Sequence, residues 1–393
     1  MTPAVDLASR WLGASVMSAS DESFGDKENL LAPAPAAFEP GHYGNRGEIV
    51  DGWETRRRRD GGHDWAIIRL GAAGIIISVD VDTSFFTGNY PQSVSLEACG
   101  HEGYPSPAEL AGPSAGWETI VANAAVTGDS HNIFAVTDGR RFTHVRLSAY
   151  PDGGIARLRI YGEVVPDPRG LEELTIDLAS QEYGGAVVAS SDDFYSSASM
   201  LNRPDRARTM GEGWETQRRR AAGHDSAVFR LGFEGCLRRV VIDTAHFKYN
   251  ASAAVALHGC AAEVPPAHDS PSWRGLLDRA RLQPDTRHVY DLAETDPLTL
   301  VRLDAFPDGG LSRVRLIGVI DQSARRVAGY RWFNALPASQ AMRCLTEAGL
   351  SAEVAATAAG QRPLSESWLG GQANSTGDAD IAIMNGLLEG RRR

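Results

Sequence analysis

Cysteine is scarce in this chain: the four in 393 residues (Cys99, Cys236, Cys260 and Cys344) are scattered and form no CxxC pair. Neither a disulfide framework nor a cysteine zinc site is supported, and the four read as reduced, mostly buried small hydrophobes. Long apolar runs are missing too, the longest being short pieces such as Ile75-Ile76-Ile77, far from the roughly 18 residues of a membrane span. A soluble protein without a membrane partner is expected. The opening Met1-Thr2-Pro3-Ala4-Val5-Asp6 has neither a basic segment nor an apolar one, so no secretory signal is read there and a cytoplasmic location is the default. There is no excess of basic charge: the net charge of −11 disfavours a nucleic-acid partner, because phosphate-backbone binding wants a net basic surface. No GxGxxG after a strand, P-loop or GxSxG elbow is found, so nucleotide binding and serine hydrolysis lack support.

What is present is ordinary in bulk and unusual in order. Hydrophobic content of 42% and charged content of 23% fit a globular protein, and the length suggests two or three domains. The sequence Gly52-Trp53-Glu54-Thr55-Arg56-Arg57-Arg58-Arg59, followed by Gly62-His63-Asp64, returns as Gly213-Trp214-Glu215-Thr216-Gln217-Arg218-Arg219-Arg220 and Gly223-His224-Asp225. Trp53/Trp214, His63/His224, Gly71/Gly232, Asp82/Asp243, Phe86/Phe247, Asn89/Asn250 and Cys99/Cys260 all lie 161 apart. Upstream, Asp6-Leu7-Ala8-Ser9 matches Asp177-Leu178-Ala179-Ser180 at 171; downstream, Tyr150-Pro151-Asp152-Gly153-Gly154 matches Phe306-Pro307-Asp308-Gly309-Gly310 at 156. Each copy is a whole domain rather than a short solenoid unit.

Within each copy the apolar residues alternate, which is strand periodicity. Candidate strands are Ser15 to Ser18, Trp65 to Leu70, Ile75 to Val81, Ser93 to Ala98, Phe142 to Tyr150 and Ile155 to Gly162. The Pro151-Asp152-Gly153-Gly154 turn between the last two predicts a hairpin, with Leu158 and Ile160 inward and Arg157 and Arg159 outward. The expected fold is all-β: two tandem jelly-roll β-sandwiches, at 1–165 and 174–322, joined by the linker Val165 to Gly170. Residues 326–393 form a short helical tail, with Leu336, Met342, Leu345 and Ala348 at helical spacing, a Ser351 N-cap, a Gly360 C-cap and a last helix over Ser375 to Gly390.

The candidate chemistry gathers at the repeated segments. If the GWET segment is extended, Glu54, Arg56 and Arg58 share a face, and Glu215 with Arg218 and Arg220 forms the second copy's set. Guanidiniums so placed suit a carboxylate; the alternative is a solvated edge strand whose Glu and Arg pair with each other. His63-Asp64 and His224-Asp225 are proton-transfer candidates, since imidazole titrates near neutrality and a carboxylate fixes its tautomer. Strand neighbours point oppositely, so acting together requires a bend; a histidine satisfied at a loop start is the alternative. Asp82 with Asn89 and Asp243 with Asn250 follow an apolar strand, as binding residues or as turn caps. A divalent metal is left open: His63, Asp64, Asp82 and His101 offer donors, but no HExxH or other metal signature fixes their spacing.

The segments GWETRRRR, GHDWAIIRLG and VDTSFFTGNYPQSVSLEA, with GWETQRRR, GHDSAVFRLG and DTAHFKYNASAAVALHG, resemble the allantoicase family over residues 6 to 320. The resemblance implies two galactose-binding-like jelly rolls, a homo-oligomer, and hydrolysis of allantoate to ureidoglycolate and urea in purine degradation. Catalysis would then rest on Glu54, His63, Asp64, Glu215, His224 and Asp225, and substrate binding on Arg56, Arg58, Asp82, Asn89, Arg218, Arg220, Asp243 and Asn250. A duplicated jelly roll that grips carbohydrate or another small ligand without chemistry is the competing class. The tail segments Trp332-Phe333-Asn334-Ala335-Leu336-Pro337 and Arg362-Pro363-Leu364 resemble the opening of the ureidoimidazoline (OHCU) decarboxylase; lacking its later His-Pro-Asp-type helix, the tail reads as a non-catalytic docking or oligomer element.

Overall fold

The computed structural model describes residues 4–45, 47–365 and 378–391. Each repeat is built on one strand of nineteen residues, Asp64–Asp82 in the first and Asp225–Asp243 in the second. The stretches expected as two strands, Trp65 to Leu70 and Ile75 to Val81, are thus halves of one element. The first half pairs antiparallel with Ser15–Ala19 and Arg141–Tyr150, the second with His131–Ala135 and Arg157–Val164. Ser93–Cys99 and Glu118–Ala125 extend the sheet beyond Arg141–Tyr150. The second repeat reproduces this order strand for strand. This is a jelly-roll-like β-sandwich whose layers share a strand.

Glycine permits the shared strand's irregular middle. A Cβ on Gly74 would lie 2.3 Å from the Glu163 carbonyl oxygen, and one on Gly235 would lie 2.4 Å from that of Val319. Between Gly74 and Arg69 the register with Arg141–Tyr150 slips, as it does between Gly235 and Arg230 in the second copy.

The predicted hairpin is not formed. Arg141–Tyr150 and Arg157–Val164 flank the long strand on opposite sides and do not pair with each other. The Pro-Asp-Gly-Gly turn instead feeds Gly154–Ile155 into a two-stranded ladder with Trp53–Glu54, and Gly310–Leu311 pairs likewise with Trp214–Glu215. Gly153 has φ 137°, a region that favours glycine, and a Cβ on Gly154 would meet the Phe86 ring at 1.9 Å. The turn sequence is therefore specified by close packing rather than by strand reversal.

The cores follow the alternation, with Leu158 and Ile160 fully buried in the first repeat and Val314 and Leu316 in the second. Arg157, expected to face solvent, is also buried, because the loop before Trp53 folds over it. Its guanidinium donates to the Ala34 and Asp51 carbonyls and, at 2.6 Å, to the Asp51 carboxylate. Arg313 does the same with Asp205 and Glu212. The Asp-Leu-Ala-Ser motif is architectural: Asp6 Oδ1 accepts from the Ala8 and Ile160 amides, Asp177 Oδ1 from Ala179 and Leu316, and Leu7 and Leu178 are fully buried.

The chain divides into two compact units, residues 4–165 with 332–365, and residues 166–331 with 378–391. The tail is helical at Gln322–Ala335, Ala338–Glu347, Ala352–Gly360 and Asp378–Leu388. Ser351 caps its helix by accepting from the Val354 amide, whereas Gly360 lies inside the helix and Gln361 closes it. The start of the expected last helix, at 375–377, lies outside the described residues. In the first unit Trp332, Phe333, Leu336 and Leu345 are buried, and Gln340 donates to Glu102 at 2.9 Å. In the second, Gly329 packs so closely on Leu388 that a Cβ would lie 1.6 Å from its carbonyl oxygen. No helix among the described residues is long and apolar enough to cross a membrane.

Candidate active site

The GWET segment is anchored before it is functional. Trp53 and Trp214 are fully buried, and each indole N–H donates at 2.8 Å to a loop carbonyl, of Asp21 and Asp192. Thr55 and Thr216 accept from the Gly153 and Gly309 amides. Between them the half-buried Glu54 accepts a 2.6 Å hydrogen bond from Asn89, and Glu215 accepts one of the same length from Asn250. The structure thus joins two sequence candidates, Glu and Asn, in each repeat. Burial raises the Glu54 carboxyl above its ordinary range, with the Asn89 hydrogen bond acting the other way.

The arginines do not form a shared face, because the strand ends at Glu54 and Glu215 and the backbone beyond them is irregular. Arg56 is exposed and pairs with Asp21 at 3.4 Å. Arg58 turns inward, its Nε 3.0 Å from Oδ1 of the fully buried Asp64, which also accepts from Ser20. In the second copy this part is played by Arg219, on Asp225 with Ser191, as the 161-residue register requires. Arg218 and Arg220 are exposed.

His63 and Asp64 are sent to opposite sides, Asp64 to its buried arginine and His63 to the surface against the Tyr150 ring, 4.6 Å between centroids. His224 packs likewise on Phe306 at 4.7 Å while Asp225 is buried. Asp82 takes the turn-capping arrangement, Oδ1 accepting from the Ser84 amide and hydroxyl, and Asp243 accepts from the Ala245 amide. His101 bonds the Ala115 carbonyl through Nε2, far in partner and purpose from the other donors weighed for a metal.

His63 stands at a cleft of about 580 Å³ on the first repeat's sheet, lined by Trp65, Ser95, Glu97, Arg146 and Tyr150 among others. Arg146 donates through Nε and Nη2 to Glu97 Oε2, at 2.7 and 2.5 Å, and lies over the Trp117 ring. The same positions of the second repeat hold Arg302 over Trp273, with Arg302 gripping Asp304 through Nε at 2.9 Å and Nη2 at 3.1 Å. Asp304 also lies near three imidazoles, those of His224, His258 and His268. Of the described residues, His224, His268 and Asp304 are the group of three whose donor atoms lie close enough to share a cation.

The GWET and GHD segments alone do not point to these residues. A signal existed: Trp117/Trp273, Arg146/Arg302 and Tyr150/Phe306 share the 156-residue offset of the Pro-Asp-Gly-Gly match. His258 and His268, having no histidine counterpart in the first copy, left no such trace.

The sequence model of the allantoicase repeat matches residues 5–165 and 176–321. The probable allantoicase of Streptomyces coelicolor is 46% identical over 343 residues, covering 84% of this chain and 90% of that protein. That of Nocardia farcinica is 47% identical over 315 residues, covering 80% and 93%. The crystal structure of allantoicase from Saccharomyces cerevisiae superposes with a TM-score of 0.68 at 36% identity, covering 80% of this chain and 93% of that one. Two complete repeats, matched in sequence and in fold, place this chain in the allantoicase family.

Proposed function

We propose that this protein hydrolyses allantoate to ureidoglycolate and urea. The observation that carries the reading is the match of the allantoicase-repeat model to residues 5–165 and 176–321, with relatives named as probable allantoicases aligned over nine-tenths of their length. Allantoate carries two ureido groups and a carboxylate on one carbon. Its cleavage requires an anchor for the carboxylate, a proton for the departing urea nitrogen and a base for water.

The first repeat offers these parts. Arg146 brings a guanidinium to the cleft, suited by its planar fork to a carboxylate, and His63 brings an imidazole to the same cleft. Glu54 and Glu215, each tethered by one asparagine, are further candidates for proton transfer, as is His224. Asp64 and Asp225 serve by holding Arg58 and Arg219, which fix the loops that carry His63 and His224. Arg56, Arg218 and Arg220 lie exposed on the same loops, as a cationic surface toward an anionic substrate. A homo-oligomer in the cytoplasm belongs to the same reading.

The test is to incubate the pure protein with allantoate and measure urea and ureidoglycolate, with and without chelator. Stoichiometric urea and ureidoglycolate support the proposal; no urea above background, with or without added divalent metal, overturns it.

A further inference from the structure

In the second repeat, Nε2 of His224 and Nε2 of His268 face each other at 3.1 Å, and each lies 3.5 Å from Oδ1 of Asp304. Three donor atoms thus form a nearly equilateral triangle. With metal–ligand bonds of about 2.0 to 2.1 Å, the ligand–ligand edge of a tetrahedral zinc site is about 3.3 Å, and the observed edges bracket that value. An N–H···N bond between the imidazoles would satisfy one edge of the triangle; a cation at its centre satisfies all three.

The surroundings are those of a supported ligand set. A carboxylate has about four lone-pair positions. Arg302 takes one on each oxygen of Asp304, leaving Oδ1 one for a cation and Oδ2 one for His258, whose Nδ1 lies 3.2 Å away. That Nδ1 is buried and makes no hydrogen bond of proper geometry. Arg302 also donates through Nη1 to the His268 carbonyl at 2.6 Å, so one side chain orients Asp304 and ties down the loop that presents His268. Such outer contacts are what hold metal ligands in place. Asp304 is the anionic donor of the set and the two imidazoles are nitrogen donors.

Among the described residues the first repeat has no equivalent. At the positions of Asp304 and His258 it carries Ser148 and Glu97, and Glu97 is taken by Arg146.

We infer that the second repeat binds one divalent transition cation, of the zinc class, through His224, His268 and Asp304, with a fourth position open on the side of the exposed His268. His258 and Arg302 are positioning residues. The two repeats are then chemically unequal, the second carrying the metal and the first the cleft beside His63. This site does not depend on the hydrolytic reading.

The experiment is calorimetric titration of tag-free, chelator-stripped full-length protein with Zn²⁺, with bound metal counted by elemental analysis after gel filtration. One equivalent per chain is expected. His268→Ala, at an exposed position, and His224→Ala should each weaken binding beyond the about 10- to 100-fold typical of losing an outer contact, which His258→Gln should show. His63→Ala should bind as wild type. No equivalent bound by the folded wild-type protein, or full binding by a folded His224→Ala/His268→Ala double variant, overturns the site. Urea release plays no part in the readout, so loss of the hydrolase proposal and loss of the metal site are separately visible.

Discussion

The Asn89 side-chain amide donates a 2.6 Å hydrogen bond to Oε1 of Glu54, a half-buried carboxyl that burial pushes above its ordinary range, and Asn250 binds Glu215 at the same distance. Glu54, raised in this way, is placed to hold a proton for a leaving group. Glu54→Gln is nearly isosteric and cannot deliver that proton. If the first repeat alone turns over substrate, kcat/KM for urea release falls by about 10²- to 10⁴-fold in Glu54→Gln, and if both repeats do, the Glu54→Gln/Glu215→Gln double variant shows that fall. Glu215→Gln asks the same of the second repeat. A Glu54→Gln/Glu215→Gln double variant that stays within twofold of wild type would remove the glutamates from the chemistry.

Arg146 presents its guanidinium in the cleft that His63 overlooks, and a lysine there cannot offer a two-pronged donor. A charge-assisted hydrogen bond is worth roughly 1.5 to 3 kcal/mol, so Arg146→Lys should raise KM for allantoate about ten- to a hundredfold while lowering kcat much less. Steady-state kinetics decides it. An unchanged KM means the substrate carboxylate is held elsewhere.

Arg56 and Arg58 stand two apart in one arginine run and should differ sharply. Arg58 partners the fully buried Asp64, and removing one member of a buried pair costs about 3 to 5 kcal/mol. Arg56 is exposed, where a pair is worth at most about 1 kcal/mol. Thermal melts of Arg58→Ala and Arg56→Ala should show a large depression for the first and almost none for the second. Arg219→Ala in the second repeat should resemble Arg58→Ala. Equal, small shifts for Arg56→Ala and Arg58→Ala would mean that the Arg58–Asp64 pair carries no stability.

The difference between those two arginines marks where the sequence was legible and where it was not. Alternation placed Leu158 and Ile160 in the core, and the 161-residue register paired Glu54 with Glu215 and Asn89 with Asn250. That Arg58 folds onto Asp64 while Arg56 reaches solvent depends on the chain leaving strand geometry after Glu54, which no period announces. Nor does local sequence show that the turn after Tyr150 crosses to the other side of the long strand, since the space that demands Gly154 is filled by distant Phe86. The histidines around Asp304 come from three separate segments, and only the folded sheet brings them together.

The helical tail should matter for stability as well as for any docking role. Trp332, Phe333, Leu336 and Leu345 are buried in the same compact unit as the first repeat, and each fully buried large apolar side chain is worth roughly 1.5 to 3 kcal/mol. Deleting residues 326–393 should therefore lower the melting temperature and increase aggregation. Intact stability, activity and assembly after the deletion would show the tail to be dispensable.

Acid stability should carry the signature of one buried imidazole. His144 is 1% exposed; its Nδ1 lies 2.8 Å from the Thr143 hydroxyl and its Nε2 has no hydrogen-bond partner. Burial, assisted by the nearby charges of His101 and Arg69, pushes it down to about 4 from the ordinary 6.5. Above pH 6.5 neither the folded nor the unfolded chain protonates it. Between 6.5 and 4 the unfolded chain takes up the proton and the folded one does not, so stability falls with pH by about 1.4 kcal/mol per unit, roughly 3 kcal/mol in all. His144→Gln abolishes that term. The difference in denaturation free energy between variant and wild type should shift by that amount in favour of the variant from pH 7 to pH 4. A difference that stays constant with pH would mean that His144 takes up its proton without unfolding.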